Sequence, residues 1–199
     1  MDVVAKGGER DAAQVIANGG VFALCALASL LAPDAMSAWR AAGAGALATS
    51  TADTWATDVG TLVGGVPRSI VTLTRVVIGT SGGVTPAGTA AALAGSAFIG
   101  GIALALDWSG AVAWGAMLGG FAGAMIDSVV GATMQERRRC ERCDALTERL
   151  VHGCGTTTVA AGGFQWLNND AVNAMSTLVG GAVAVGVWML LAGGRGPGK

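Results

Sequence analysis

Three stretches of this chain, Ala12 to Leu31, Pro86 to Leu106 and Ala171 to Ala192, contain no charged residue at all. Each matches the roughly 20 residues that an α-helix needs to cross the hydrocarbon of a bilayer. Two further runs come close, because Ala111 to Ala132 is interrupted only by Asp127, and Ser37 to Thr57 only by Arg40 and Asp53. With 13% of 199 residues charged, the chain has too few ionic groups to coat a water-soluble globule around five such runs. It is expected to be an all-α membrane protein, a polytopic bundle of about five transmembrane helices forming a single domain over residues 1 to 199.

The 33 glycines, the many alanines and the absence of Tyr favour backbones in close contact over bulky cores. Pro33 suits a helix stop after the first run. The short DWSG link suits an antiparallel pair of helices with Trp108 at an interface. The start, MDVVAKGGERDAAQ, is polar, so no cleavable leader is expected there.

A formal charge of −1 gives no reason to expect a nucleic-acid partner. Its distribution is more informative. Placing the N-terminus inside puts Lys6, Arg10, Arg68, Arg75, Arg137, Arg138, Arg139, Arg142 and Arg149 on the cytoplasmic face. Arg40, Arg195 and Lys199 are left outside. The expectation is a multi-pass protein of the cell membrane, with its two long polar links facing the cytoplasm.

Polar residues that cost energy at such depth gather at that same face. STADTWATDVG carries Asp53 and Asp58; on a continuing helix Asp53 and Thr57 share a face, while the bland alternative is a helix that ends near Ala52. IDSVVGATMQ brings Asp127 and Ser128. NNDAVN opens the last run with Asn169, Asp170 and Asn173, of which Asp170 and Asn173 exceed the needs of an N-cap. Carboxylate and amide oxygens of this kind suit a hard cation such as Mg²⁺, held by Asp53, Asp127 and Asp170.

Between them, Gly79, Thr80, Ser81, Gly82 and Gly83 form a loop whose backbone N–H groups can turn toward an anion, ahead of a helix N-terminus. Arg68 and Arg75 add charge-assisted donors. Acids, amides, arginines and an anion-friendly loop on one face are what phosphoryl transfer needs. An ordinary turn looks the same, and this loop has no P-loop Lys. The polar insert over residues 136 to 160 adds Cys140, Cys143, His152 and Cys154, whose spacing suits a small structural Zn²⁺ knuckle; free thiols in a loop are the alternative.

Taken in order, ADTWATDVG, GTSGGVTPAGT, IDSVVGATMQ and NNDAVN resemble the integral membrane family that includes plant phytyl-phosphate kinase and animal transmembrane protein 19. The resemblance runs from about Gln14 to Ala184, and the Cys-rich insert is similar to that of the bacterial and archaeal branch. It implies a polytopic helical fold and transfer of a nucleotide γ-phosphate to an isoprenyl monophosphate. Asp53, Asp58, Asp127, Asn169, Asp170 and Asn173 stand at the polar positions of the family motifs. Members commonly carry further spans before the region that starts here near Gln14; if those spans line the lipid site, the expectation is either that a second copy, in a homodimer, replaces them or that activity is altered.

The resulting expectation is a prenyl-phosphate kinase that uses CTP or ATP, with phytyl or geranylgeranyl phosphate as acceptor. Asp53, Asp127 and Asp170 would hold Mg²⁺; Arg68, Arg75 and Gly79 to Gly83 would steady the nucleotide phosphates; Asp58 would orient the acceptor; the prenyl tail would lie among membrane lipids. Two alternatives share parts of the pattern. A nucleotidyl transferase making a CDP-lipid would use the same groups, and a transporter or lipid flippase would use intramembrane acids for ion coupling.

Overall fold

The computed structural model describes residues 11–193. Five long helices form the body: α1 (Ala12–Leu31), α2 (Met36–Val63), α3 (Pro86–Ala105), α4 (Gly110–Thr133) and α5 (Asn169–Gly193). Lys6, Arg10, Arg195 and Lys199 lie outside the described residues.

Local signals explain the helix ends. Asp11 caps α1 through a reciprocal pair, its Oδ1 accepting from Gln14 N at 2.9 Å while Gln14 Oε1 accepts from Asp11 N at 3.2 Å. A single 3₁₀ turn, Pro33–Ala35, joins α1 to α2. Thr85 caps α3, with Pro86 in its first turn where a missing N–H costs nothing. Ser109 caps α4. Asn168 Oδ1 accepts from Ala171 N at 3.0 Å and so opens α5.

The second helix departs from expectation. It runs six residues past Thr57, so Asp53 and Asp58 stand on a continuous helix and not at its frayed end. Its 28 residues span about 42 Å, exceeding a hydrocarbon thickness of about 30 Å. By length and mean hydropathy α1, α3, α4 and α5 are apolar enough to cross a membrane, whereas the polar load of α2 keeps it below that level. Its position compensates, because α2 packs against each of the other four long helices.

The packing surface is made of small residues. Ala41, Ala46, Ala48, Ala52, Ala92, Ala116 and Ala184 are fully buried. A methyl group added at Gly115 would sit 2.6 Å from the Ala184 carbonyl oxygen, and one at Gly181 would sit 2.8 Å from Ala42 O, so these backbones touch. Large side chains such as Leu24, Leu30, Leu31 and Leu190 point outward, as a lipid-covered surface allows. Ser50 Oγ donates to Asn18 O at 2.6 Å and fastens α2 to α1.

Because the helices alternate in direction, the C-terminal ends of α2 and α4 and the N-terminal ends of α3 and α5 meet at one end of the bundle. Both long links are also there. The first contains β1 (Arg68–Ser69) paired antiparallel with β2 (Gly83–Val84). The second forms a three-stranded antiparallel sheet in the order β4-β3-β5, from β3 (Arg137–Cys140), β4 (Ala145–Thr147) and β5 (Val159–Gly162). Its base is closed by Glu136 N donating to Leu167 O and Phe164 N donating to Met134 O, both at 2.9 Å.

Candidate functional site

A cavity of about 540 Å³ opens at the end of the bundle where the links gather. Size alone puts it within the range of small-molecule sites. Its wall includes Asp53, Thr57 and Asp58 from α2, Thr85 and Thr89 at the start of α3, Asp127 and Ser128 from α4, and Asn169 from α5. The loop Gly79, Thr80, Ser81, Gly82 and Gly83 forms another part of the same wall. Segments more than a hundred residues apart in sequence therefore share one enclosure.

The acids are not scattered within it. Asp127 lies near enough to Asp53 and to Glu148 for their charges to act on one another. Ser176 of α5 supports Asp127 from behind, its Oγ lying 2.9 Å from Asp127 Oδ2 and 3.0 Å from Asn173 O. Asp58, five residues beyond Asp53, is exposed.

The loop is held against α4. Gly82 has φ of +73°, a left-handed conformation that side chains disfavour, and a Cβ there would run into Ser128 O and Ala132 of α4. Two penalties coincide at one residue. Gly82→Ala is expected to destabilise the protein by about 1–3 kcal/mol, read as a lower thermal midpoint of the detergent-solubilised protein. An unchanged midpoint would contradict this seating of the loop. On the far side, Gly88 brings α3 against α2, since a methyl group there would lie 2.8 Å from Ala56 O.

Not every expected residue reaches the cavity. Arg68 and Arg75 are exposed in the neighbouring hairpin, paired with each other through their backbones, and Arg68 Nη1 donates to Leu73 O at 2.8 Å. Asp170 and Asn173 follow Asn169 on α5 but do not line the wall; Asn173 is buried in the bundle. Conversely, Glu148, Gln135 and Ser176 contribute to the cavity or its support without having stood out in sequence. Glu148 lies in a charged run that reads as solvated surface. Its partner Ser81, whose Oγ donates to Glu148 Oε1, is 67 residues away.

The insert carries a second constellation. Among the described residues, Cys140, Cys143, His152 and Cys154 form a group of four whose ligand atoms could hold a metal ion, all within 4.8 Å of one another. The Thr156 hydroxyl and then the His152 ring hold the Cys154 thiol down to about 5. Arg138 braces the sheet beneath them, its Nε donating to Thr158 Oγ1 at 2.8 Å and an Nη to Thr158 O at 2.7 Å.

Comparison with known proteins agrees with this architecture. Residues 2–181 match the family described as Integral membrane protein DUF92. An uncharacterized membrane protein of Synechocystis sp. is 31% identical over 189 residues, covering 92% of this chain and 61% of the relative. Protein PGR of Arabidopsis thaliana is 30% identical over 198 residues, covering 87% and 67%. An uncharacterized membrane protein of Methanocaldococcus jannaschii is 28% identical over 183 residues, covering 92% and 64%. The chain thus spans 61% to 67% of the length of these relatives. No solved structure matches it. The four ordered motifs, the apolar helices and a match over most of the sequence lead to one assignment: the chain belongs to the integral membrane protein family DUF92.

Proposed function

We propose that the protein is a membrane phosphotransferase that moves the γ-phosphate of Mg·CTP or Mg·ATP onto an isoprenyl monophosphate, such as phytyl or geranylgeranyl phosphate. One observation carries the reading: Asp53 and Asp127 share a cavity with the Gly79 to Gly83 loop at the mouth of a membrane bundle. Phosphoryl transfer asks a protein for position and charge more than for covalent chemistry. Two carboxylates suffice for Mg²⁺, which keeps several waters and takes its other ligands from substrate phosphates. Thr80 N and Gly83 N are taken up by Val77 O and Thr80 O, and Gly88 N by the Thr85 hydroxyl, so the donors to the nucleotide phosphates come from the other amides of the loop and from Ala87 at the start of α3.

Asp58, on the same wall, orients the acceptor phosphate, which is already anionic and needs little help from a base. Asn169 offers an amide within the same space. Arg68 and Arg75, being exposed beside the cavity, act by drawing anionic substrates toward it instead of gripping them. Asp170 and Asn173 belong to the first turns of α5 behind Asn169, so the cation set is best drawn as Asp53 and Asp127. Leu62, 81% exposed, together with Ile78 and Met125 gives the wall an apolar side along which a prenyl chain can leave into lipid.

The charge pattern favours a cytoplasmic opening. Among the described residues Arg68, Arg75, Arg137, Arg138, Arg139, Arg142 and Arg149 lie in the links at the cavity end, and Arg40 lies near the opposite end over Trp108 at 5.1 Å. The transporter reading fares worse. Its path would have to run between helices whose Ala and Gly backbones are already in contact.

Purified protein supplied with Mg²⁺, CTP or ATP, and geranylgeranyl phosphate should release a nucleoside diphosphate and form the prenyl diphosphate. Release of pyrophosphate with a CDP-lipid would replace the kinase by a nucleotidyl transferase. Absence of both products across donors and prenyl chain lengths would reject the reading.

A further inference from the structure

The Cys and His quartet has a geometry that can be compared with a metal. Tetrahedral Zn²⁺, with bonds of about 2.3 Å to sulfur and about 2.0 Å to nitrogen, sets its ligands roughly 3.8 Å apart for two sulfurs and roughly 3.5 Å for sulfur and nitrogen. Cys140 Sγ and Cys154 Sγ are 3.6 Å apart, and His152 Nδ1 lies 3.3 Å from Cys154 Sγ. A disulfide would need about 2.05 Å. All four cysteines of the chain are free.

The backbone around the quartet is shaped to match. After Cys140 and Cys143 the chain turns through Asp144 at φ of +53°, and after His152 and Cys154 through Gly155 at φ of +82°. Gly155 N donates to His152 O at 2.8 Å, which closes the second turn. Each turn therefore delivers two ligands from a few residues. The insert has little else to hold it, since its buried residues include Cys140, Thr147, His152 and Thr158 but no large apolar side chain. A unit of this size without an apolar core usually needs a metal or disulfides.

What the quartet encloses gives the ion a consequence. Glu148 follows β4 directly, between the first ligand pair and the second, and it both lines the cavity and accepts the Ser81 hydroxyl. We propose that Cys140, Cys143, His152 and Cys154 bind one Zn²⁺, and that this ion clamps the hairpin carrying Glu148 so that its carboxylate holds the Gly79 to Gly83 loop. The ion is structural, because four protein ligands leave no open position for substrate. Glu148 is a positioning residue that acts through Ser81. The inference does not depend on the phosphoryl-transfer reading, and its test does not measure catalysis.

The full chain, produced with zinc in the medium and purified without chelator, should contain one zinc per chain by elemental analysis. Cys143→Ser, at the most exposed ligand, should lose it. Chelation of the wild-type protein should raise amide hydrogen exchange in residues 79–83 by at least about tenfold, with α2 and α4 unaffected, and added Zn²⁺ should restore protection. Glu148→Gln should keep its zinc yet show the same faster exchange in the loop. Zinc-free wild-type protein would overturn the site. Zinc whose removal leaves the loop unchanged, or a Glu148→Gln protein with normal loop protection, would overturn the clamp.

Discussion

Asp127→Asn is expected to cut formation of the prenyl diphosphate by at least about 100-fold, the scale seen when one preorganised charge is removed from a site that stabilises a charged transition state. The substitution is nearly isosteric, and the Asn side-chain oxygen can still accept from Ser176, so the bundle should persist. Asp127 sits within reach of the charges of Asp53 and Glu148, so a cation bound among them would act on all three groups. Mg²⁺ should therefore raise the thermal midpoint of the wild type more than that of the variant. Asp53→Asn should behave alike, and the double variant should lose much less than the product of the two single losses, because both act through one ion. A wild-type rate in Asp127→Asn would remove this carboxylate from the mechanism. A normal rate together with an unchanged Mg²⁺ response would remove the cation site as well.

Gly119→Leu should be the most damaging change to the scaffold, at about 3 kcal/mol or more, above the usual range for overpacking. Even a single methyl group at Gly119 would press on Gly180 O and lie 2.8 Å from Ala184 N, both backbone atoms of α5, which no side-chain rotation can move. Gly101→Ala is the control. Its added methyl would meet nothing within 4 Å, so the gain in helix propensity should leave the protein as stable or slightly more so. Thermal denaturation of both variants in the same detergent distinguishes contact between helices from a general intolerance of glycine replacement. Equal midpoints would show that the α4 and α5 backbones do not meet as closely as described.

Much of the scaffold is legible in the sequence, for a simple reason. In a bilayer a helix must satisfy its own backbone hydrogen bonds and present apolar side chains over a fixed thickness, so length and hydropathy are nearly sufficient. Ala12 to Leu31 matched to the residue, and Pro86 to Leu106 and Ala111 to Ala132 to within one at either end. The end of α2 escaped the same ruler because Ser50, Thr51, Asp53, Thr54, Thr57 and Asp58 look like the edge of a span. Helix continuity depends on backbone geometry and on the neighbours that surround α2, and hydropathy records neither.

The candidate site divides along the same physical line. Asp53, Asp58, Asp127 and Asn169 were conspicuous because each interrupts, ends or opens an apolar run, where a polar group is costly. Glu148 was not, since a carboxylate in a charged link costs nothing and draws no notice until the link is seen to fold over the cavity. Arg68 and Arg75 had suitable charge but are exposed in a hairpin outside the wall, and Asp170 follows Asn169 on α5 without lining it. Composition and the period of apolar residues thus determine that this chain is a bundle of membrane helices with polar residues massed at one end. Which of those residues share an enclosure was decided by how closely glycine and alanine let the helices approach and by the path of two folded links. Those are contacts between distant segments, and a linear pattern does not contain them.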